Sequence, residues 1–212
     1  ALLANTGGMV GLDVGASQQE TLSMAIAGDA LDLLAFGGAP AEILATHWSL
    51  TGTPGALPDW SFGVWLSRAT YISEDEVAAV LDDLEAHDAM PDVVHVDGWL
   101  AGNVFRTFTC EWQRDRHRFP DGWTDRLRSR GVRSSVWLNP FVLAGSEVAE
   151  ELRREGLLLQ RADGSPAPTS DRDNRWIVDF THPRARQWWY QRLAALLEAD
   201  APDALKLDFA EE

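Results

Sequence analysis

A lysine and an aspartate, two positions apart, are the residues of this sequence best suited to chemistry. They lie in segment 204–209, where apolar residues alternate with Lys206 and Asp208, and this alternation predicts a short β-strand. Because side chains two positions apart on a strand point to the same face, we expect the ammonium and the carboxylate to lie close together. A nearby ammonium keeps a carboxylate ionised at neutral pH, as a nucleophile or an electrostatic stabiliser requires.

Lys206 is the only lysine of the chain, since the other 17 of its 18 basic residues are arginine. Lysine presents a compact point charge where arginine presents a planar fork of donors. The exception at this position therefore favours a functional requirement for an ammonium. A structural ion pair at the end of a strand is the alternative that the pattern leaves open.

Composition limits the classes of function. The chain has 212 residues, 45% of them hydrophobic, and a net charge of −15, which is typical of a globular protein. The acidity argues against nucleic acid and against an anionic membrane surface as partners. No apolar run in the sequence is long enough to span a bilayer. A single cysteine, Cys110, predicts a reducing, cytoplasmic location. No cluster with the spacing of metal ligands and no phosphate-binding glycine motif occurs, so neither a metal nor a cofactor is expected.

Two regions of different pattern follow one another. Residues 1–57 contain short apolar alternations broken by glycine pairs, which predict antiparallel strands such as 9–14 and 30–36, and a short helix over 39–50. We interpret them as the C-terminal part of an N-terminal β-sandwich. In residues 58–212, strands and helices alternate with the spacing of parallel strands joined by helical crossovers, which indicates an α/β fold.

Polar residues lie at the carboxyl ends of three predicted strands of the second region, namely Asp97, Asn139 and Asp208. The predicted strands are 62–66, 93–97, 132–138, 177–180 and 203–209, and the predicted helices begin at Ser73, Asp121, Glu147 and Pro183. Ser73 and Glu76 have the spacing of a capping box, and Gly156 is expected to end the helix that begins at Glu147. A TIM barrel carries its active site at the carboxyl ends of its strands and needs about 250 residues. The pattern therefore predicts a partial TIM (β/α)8 barrel, about its first half, over residues 58–212.

Four segments, taken together and in order, resemble family 31 of the glycoside hydrolases, and most closely its α-xylosidase branch. They are PDWSFGVWL at 58–66, HVD at 95–97, VWLNPF at 136–141 and KLDFAE at 206–211. The last motif usually has Thr and Gly where this chain has Leu207 and Ala210. The α-xylosidase branch often has Cys-Phe where this chain has Gly98 and Trp99, so an α-glucosidase of the same family is the alternative.

The resemblance implies a retaining α-glycosidase that hydrolyses terminal, non-reducing α-linked sugars of an oligosaccharide or α-glycoside, with α-xylosides favoured. It implies that Asp208 is the catalytic nucleophile and that Asp97, Trp137 and Lys206 bind the substrate. Independently of the resemblance, we interpret Glu211, which is close to Asp208 in the sequence, as a residue that supports the nucleophile, and Trp99 as part of an aromatic platform for the substrate. For Trp99, the core of a long loop is the alternative. The acid–base carboxyl is expected beyond residue 212, so residues 1–212 alone are predicted to be inactive and only marginally soluble.

Three further points stay open at this level. A non-catalytic sugar-binding fragment is the alternative from another functional class, and a homo-oligomer is an open possibility for the full-length protein. A metal-assisted barrel lyase that uses Lys206 as its base is disfavoured, because no acidic triad follows successive strands. His95 shares a strand face with Asp97, so a supporting role behind that carboxylate is open as well.

Overall fold

The first part of the chain forms short antiparallel strands and one helix. The computed structural model describes residues 1–28, 30–68, 70–101, 111–169 and 174–209, and the chain divides into two units, Ala1–Leu57 and Pro58–Glu212. The elements of the first unit are β1 (Leu2–Ala4), β2 (Val10–Val14), β3 (Leu22–Ile26), β4 (Leu33–Ala35) and α1 (Pro40–Thr51). β1 pairs with β4 and β2 with β3, both antiparallel. The predicted antiparallel strands and helix are confirmed, while the assignment to a β-sandwich stays a prediction.

The second unit is built on four parallel strands. Its elements are β5 (Trp65–Ser67), α2 (Glu74–Glu85), β6 (Val93–Val96), α3 (Trp123–Ser129), β7 (Arg133–Leu138), β8 (Phe141–Leu143), α4 (Glu147–Glu155), β9 (Arg175–Ile177), α5 (Pro183–Asp200) and β10 (Ala204–Leu207). The sheet has the order β10–β7–β6–β5, and every neighbouring pair is parallel. Parallel strands joined through helices are the arrangement of an α/β barrel, and this unit forms part of one.

The core of the second unit lies between this sheet and its helices. β6 is buried along its whole length, as its continuous apolar run predicts, because helices cover one face of a barrel sheet and the interior covers the other. α2 presents Val77 and Leu81 to this core, and α3 presents Trp123 and Leu127. This burial holds the strands, and therefore the side chains at their carboxyl ends, in register.

Helix ends follow the predicted caps with one difference. The Ser73 hydroxyl accepts a hydrogen bond from the Glu76 backbone N–H at 3.2 Å and begins α2. The Glu76 carboxylate, expected to complete a capping box on Ser73, instead accepts from the Ile72 N–H at 2.7 Å. α4 ends at Gly156, as predicted, with φ of 66°, a left-handed conformation that glycine adopts without steric penalty.

Two predicted strands differ from the observed ones. The strand expected over 62–66 begins only at Trp65, because Asp59–Phe62 form a 3₁₀ turn and the Val64 N–H is taken by the Asp92 carboxylate at 2.7 Å. The sequence predicts that segment 177–180 is one of the parallel strands that alternate with helices. The observed strand there is β9, which pairs antiparallel with β8 in a ribbon separate from the parallel sheet.

Asp203 joins the amino ends of β7 and β10. Its Oδ2 accepts hydrogen bonds from the Ser134 backbone N–H at 3.0 Å and hydroxyl at 3.1 Å. Its Oδ1 lies 3.1 Å from Arg133 Nη1 and 3.3 Å from Arg128 Nε. Burial by itself raises the pKa of this carboxyl, but the bonds from Ser134 and Arg128 outweigh it and the net pKa is lowered.

We expect Asp203→Ala to lower the free energy of unfolding by about 3 kcal/mol at pH 7, since it leaves the buried Ser134 N–H without its acceptor and removes one ion-pair partner each from Arg128 and Arg133. Because the folded-state pKa is lowered, the stabilisation is present above the pKa of the unfolded aspartate and is lost as pH falls through the folded-state value. Urea unfolding followed by tryptophan fluorescence measures both effects. The control is Asp83→Ala, whose side chain is 79% exposed; equal losses in both variants would contradict the assignment.

Candidate active site

The candidate side chains meet at the carboxyl ends of three neighbouring strands. Asp97 directly follows β6 and Asp208 directly follows β10, while β7 lies between these two strands. The register pairs Val96 with Val136 and Lys206 with Trp137. Because all three strands are parallel, their carboxyl ends lie at one edge of the sheet. The structure therefore brings the candidate side chains together at one edge of the sheet, while their role as a site stays a prediction.

Lys206 lies between the two carboxylates. Its Nζ is 3.2 Å from Asp208 Oδ2 and 3.6 Å from Asp97 Oδ1. The shared face of Lys206 and Asp208 is what the period of a strand predicts. The Lys206 side chain is 48% exposed and that of Asp208 29%, so a ligand can reach both groups.

Trp137 forms a hydrogen bond with the Asp208 carboxylate. Its indole Nε1 donates a hydrogen bond to Asp208 Oδ2 at 2.9 Å. The pKa of Asp208 is lowered, chiefly by this bond and further by the hydrogen bond and charge of Lys206, while burial opposes the shift. Sequence reasoning attributed the ionised carboxylate to Lys206 alone; the structure adds the Trp137 N–H, whose hydrogen bond is the largest single cause of the lowered pKa.

Asp97 is held by a pair of buried side chains behind it. His95 Nε2 lies 2.9 Å from Asp97 Oδ1, and His95 Nδ1 lies 2.9 Å from the Ser135 hydroxyl. His95 and Ser135 face each other directly in the pairing of β6 with β7. Ser135 escaped prediction because nothing in the local sequence shows which residue lies across from His95.

Trp99 requires a correction. Its side chain is buried, at 1% exposure, among the core residues, and its Nε1 donates to the Trp137 carbonyl oxygen at 2.8 Å. In this position the ring offers no face to a sugar, so Trp99 holds the backbone that carries Trp137. Asn139 is also buried, and its Oδ1 accepts from the Phe141 N–H at 3.3 Å. Glu211 lies outside the described residues.

Two phenylalanines that sequence reasoning did not assign to the site pack next to Trp137, and one of them, Phe141, is buried at 1% exposure. The Phe209 ring is edge-on to Trp137, with centroids 6.1 Å apart, and stacks on Phe141 at 6.4 Å. Phe209 has a positive φ of 58°, which is unfavourable for a bulky residue and is common at functional sites. Its N–H donates to Asp208 Oδ1 at 3.1 Å, so this backbone turn helps to orient the carboxylate.

This arrangement suits nucleophilic attack on a polar, uncharged ligand. It combines an ionised, partly exposed carboxylate with an ammonium, a second carboxylate and the Phe209 ring that packs against Trp137. In the portion of the chain that the structure describes, no group of three or more His, Cys, Asp or Glu side chains could hold a metal ion. Nor does any helix of that portion have the length and apolarity needed to cross a membrane.

Comparison with known proteins places these features in a family. Residues 54–212 match the model of the glycosyl hydrolases family 31 TIM-barrel domain. The chain is 31% identical over 207 residues to alpha-xylosidase XylQ of Lactiplantibacillus pentosus, covering 95% of this chain and 27% of that protein. It is 32% identical over 221 residues to an alpha-xylosidase of Emericella nidulans, covering 99% of this chain and 27% of that protein.

A solved structure has the same fold. The family 31 dextranase of Flavobacterium johnsoniae, complexed with glucose, matches 98% of this chain and 26% of its own chain with a TM-score of 0.83 and 22% identity. At that identity the likeness concerns the fold alone. The chain spans about 27% of the length of each of the two alpha-xylosidases named above.

Proposed function

The chain belongs to glycosyl hydrolase family 31, and on that premise we propose that it carries the nucleophile half of the active site of a retaining α-glycosidase. The observation that carries the proposal is the environment of Asp208. This carboxylate is partly exposed and is contacted at Oδ2 by the Trp137 N–H and the Lys206 ammonium. A carboxylate kept ionised in this way is suited to form a bond with a sugar carbon.

In the proposed reaction Asp208 attacks the anomeric carbon of the bound sugar. The bond from that carbon to the leaving oxygen breaks, a second carboxyl group protonates this oxygen, and a covalent glycosyl-enzyme forms. Water then attacks the same carbon, the second carboxylate takes a proton from it, and Asp208 is released. Two inversions give overall retention of the α configuration.

The second carboxyl group is assigned outside residues 1–212. In retaining enzymes it lies about 5–5.5 Å from the nucleophile and must carry a proton to donate. Asp97 is poorly suited to this role, because its Oδ1 already faces two donors, His95 Nε2 and Lys206 Nζ. We assign to Asp97 the acceptance of a sugar hydroxyl, and to Lys206 a contact with the same sugar.

The proposed substrate is a terminal α-xyloside of an oligosaccharide or aryl glycoside. The support is the similarity to two proteins named alpha-xylosidases. An α-glucoside, which adds one hydroxymethyl group to the sugar ring, is the alternative within the family. Cytoplasmic location stays a prediction from the single cysteine, Cys110.

The experiment is hydrolysis of 4-nitrophenyl α-xyloside and α-glucoside by the full-length protein, with the product anomer followed by NMR. We expect α-xylose to appear first, and kcat/KM for the xyloside to exceed that for the glucoside by about 10-fold or more, the size expected where a pocket discriminates one small group. The β anomer as first product would overturn the retaining mechanism. Binding of xylose without any turnover would favour a sugar-binding protein instead.

A further inference from the structure

Two polar side chains are buried in the sheet beneath Asp97, where apolar side chains would otherwise pack. His95 is 6% exposed and Ser135 1%, and they are the central residues of β6 and β7 that pair across the strands. Burial of an imidazole and a hydroxyl carries a desolvation penalty that apolar residues avoid. Their hydrogen bonds form one chain, from Ser135 Oγ through His95 to Asp97 Oδ1, with both distances 2.9 Å.

The chemistry of the groups gives this chain a direction. A carboxylate oxygen only accepts hydrogen bonds, so His95 Nε2 carries the hydrogen that Asp97 Oδ1 receives. Nδ1 faces the Ser135 hydroxyl. A hydroxyl can donate or accept a hydrogen bond, so it pairs with Nδ1 whether or not Nδ1 carries a hydrogen. Ser135 thereby fixes the rotation of the imidazole ring, and the ring fixes the position of Oδ1.

The other oxygen of Asp97 has a different environment. Lys206 Nζ also approaches Asp97 from the side of Oδ1. Among the residues that the structure describes, no hydrogen bond reaches Oδ2 of Asp97, although this side chain remains 16% exposed. One oxygen is thus engaged by the protein and the other is left for a ligand.

We propose that His95 and Ser135 are positioning residues that orient the Asp97 carboxylate for a sugar hydroxyl, with Oδ1 held by His95 and Oδ2 presented to the substrate. The inference rests on the proposed function, since it concerns the same sugar site. Neither side chain needs to touch the sugar. Their effect is to remove the rotational freedom that Asp97 would otherwise lose when the substrate binds.

The test compares two amide substitutions of His95 in the full-length protein. A glutamine amide reaches about as far as Nε2 and can still donate to Asp97, whereas an asparagine amide reaches only the place of Nδ1. We expect His95→Gln to keep kcat/KM for the α-xyloside within about 5-fold of wild type and His95→Asn to lower it by about 10- to 100-fold, the effect of one hydrogen bond to a charged group. Ser135→Ala is expected to lower kcat/KM by about 3- to 10-fold.

A double-mutant cycle separates positioning from packing. If His95 acts through Asp97, His95→Asn should have little further effect on kcat/KM in an Asp97→Asn background, because the positioned group is already changed. A packing role predicts that the Gln and Asn variants lose activity equally and that the loss is the same in both backgrounds. Either of these results would overturn the inference, with melting temperatures measured alongside to show that each variant is folded.

The outcomes also separate this inference from the proposed function. If the wild type hydrolyses the glycosides and the His95→Gln and His95→Asn variants are equally active, the positioning role is wrong and the glycosidase proposal stands. If the wild type binds xylose without turnover, the glycosidase proposal fails, and the same variants are compared by calorimetric titration with xylose. If the wild type neither binds xylose nor hydrolyses the glycosides, both proposals fail.

Discussion

Asp208→Ala is expected to lower kcat/KM of the full-length protein for an α-xyloside by about 10⁴-fold or more, the size seen when the nucleophile of a hydrolase is removed. The carboxylate forms the new bond to the anomeric carbon in the first proposed step, so no other group can replace it. The variant should still fold, because Asp208 lies at the end of β10 and its side chain is 29% exposed. Steady-state hydrolysis of 4-nitrophenyl α-xyloside measures the loss.

The matched control is Asp179→Ala. Asp179 lies shortly after the end of β9, and its Oδ1 accepts from the backbone N–H and hydroxyl of Thr181 at 2.9 and 2.6 Å, so it is a strand-end aspartate with a purely local role. We expect this variant to keep wild-type kcat/KM. A second readout is trapping with a fluorinated xyloside, after which mass spectrometry should find the sugar on the peptide that contains Asp208. A label on another residue would contradict the assignment.

The pH dependence follows from the same carboxylate. Attack requires the ionised form, and the Trp137 hydrogen bond together with Lys206 lowers the pKa of Asp208. The active range of kcat/KM should therefore extend to lower pH than the ordinary pKa of an aspartate, about 3.9, would allow. An acid limb well above that value would show that another group controls it.

Lys206→Met is expected to lower kcat/KM by about 10²- to 10³-fold, the range found when one charge-stabilising donor is removed from an active site. The ammonium lies 3.2 Å from Asp208 Oδ2 and 3.6 Å from Asp97 Oδ1. Among the described residues no other lysine or arginine forms an ion pair with either carboxylate. Removal of the ammonium therefore raises the pKa of Asp208, because the nearby like charge of Asp97 disfavours ionisation. The acid limb of kcat/KM should move to higher pH in the same variant.

Lys206→Arg tests why the chain has its single lysine here. A guanidinium is planar, larger than an ammonium and presents its donors as a fixed fork, so it does not reproduce a single compact charge 3.2 Å and 3.6 Å from the two carboxylates. We expect this variant to stay at least about 10-fold below wild type. Arg154→Met, on the exposed face of α4, removes a charge of the same sign and should leave kcat/KM unchanged. Full activity of Lys206→Arg would show that any cation suffices.

Much of the second unit could be read from local patterns. The buried run of β6, the Ser73 cap of α2 and the Gly156 end of α4 each depend on residues a few positions apart, and steric preferences act at that range. The location of Asp97 and Asp208 at one edge also follows, because parallel strands bring their carboxyl ends together. The prediction that segment 177–180 belongs to the parallel sheet is wrong, because the pairing of a strand depends on distant residues. A short apolar run does not show which strand it will pair with.

The shared face of Lys206 and Asp208 needed no tertiary information, because the period of a strand sets it. The hydrogen bonds that orient these side chains depend on the tertiary structure. The Trp137 N–H reaches Asp208 across 71 positions of sequence, and Ser135 reaches His95 across 40. Trp99 belongs to the core for a similar reason, since its N–H finds a carbonyl 38 positions away. Such partners are chosen by the register of paired strands and by packing, and no local pattern contains that information.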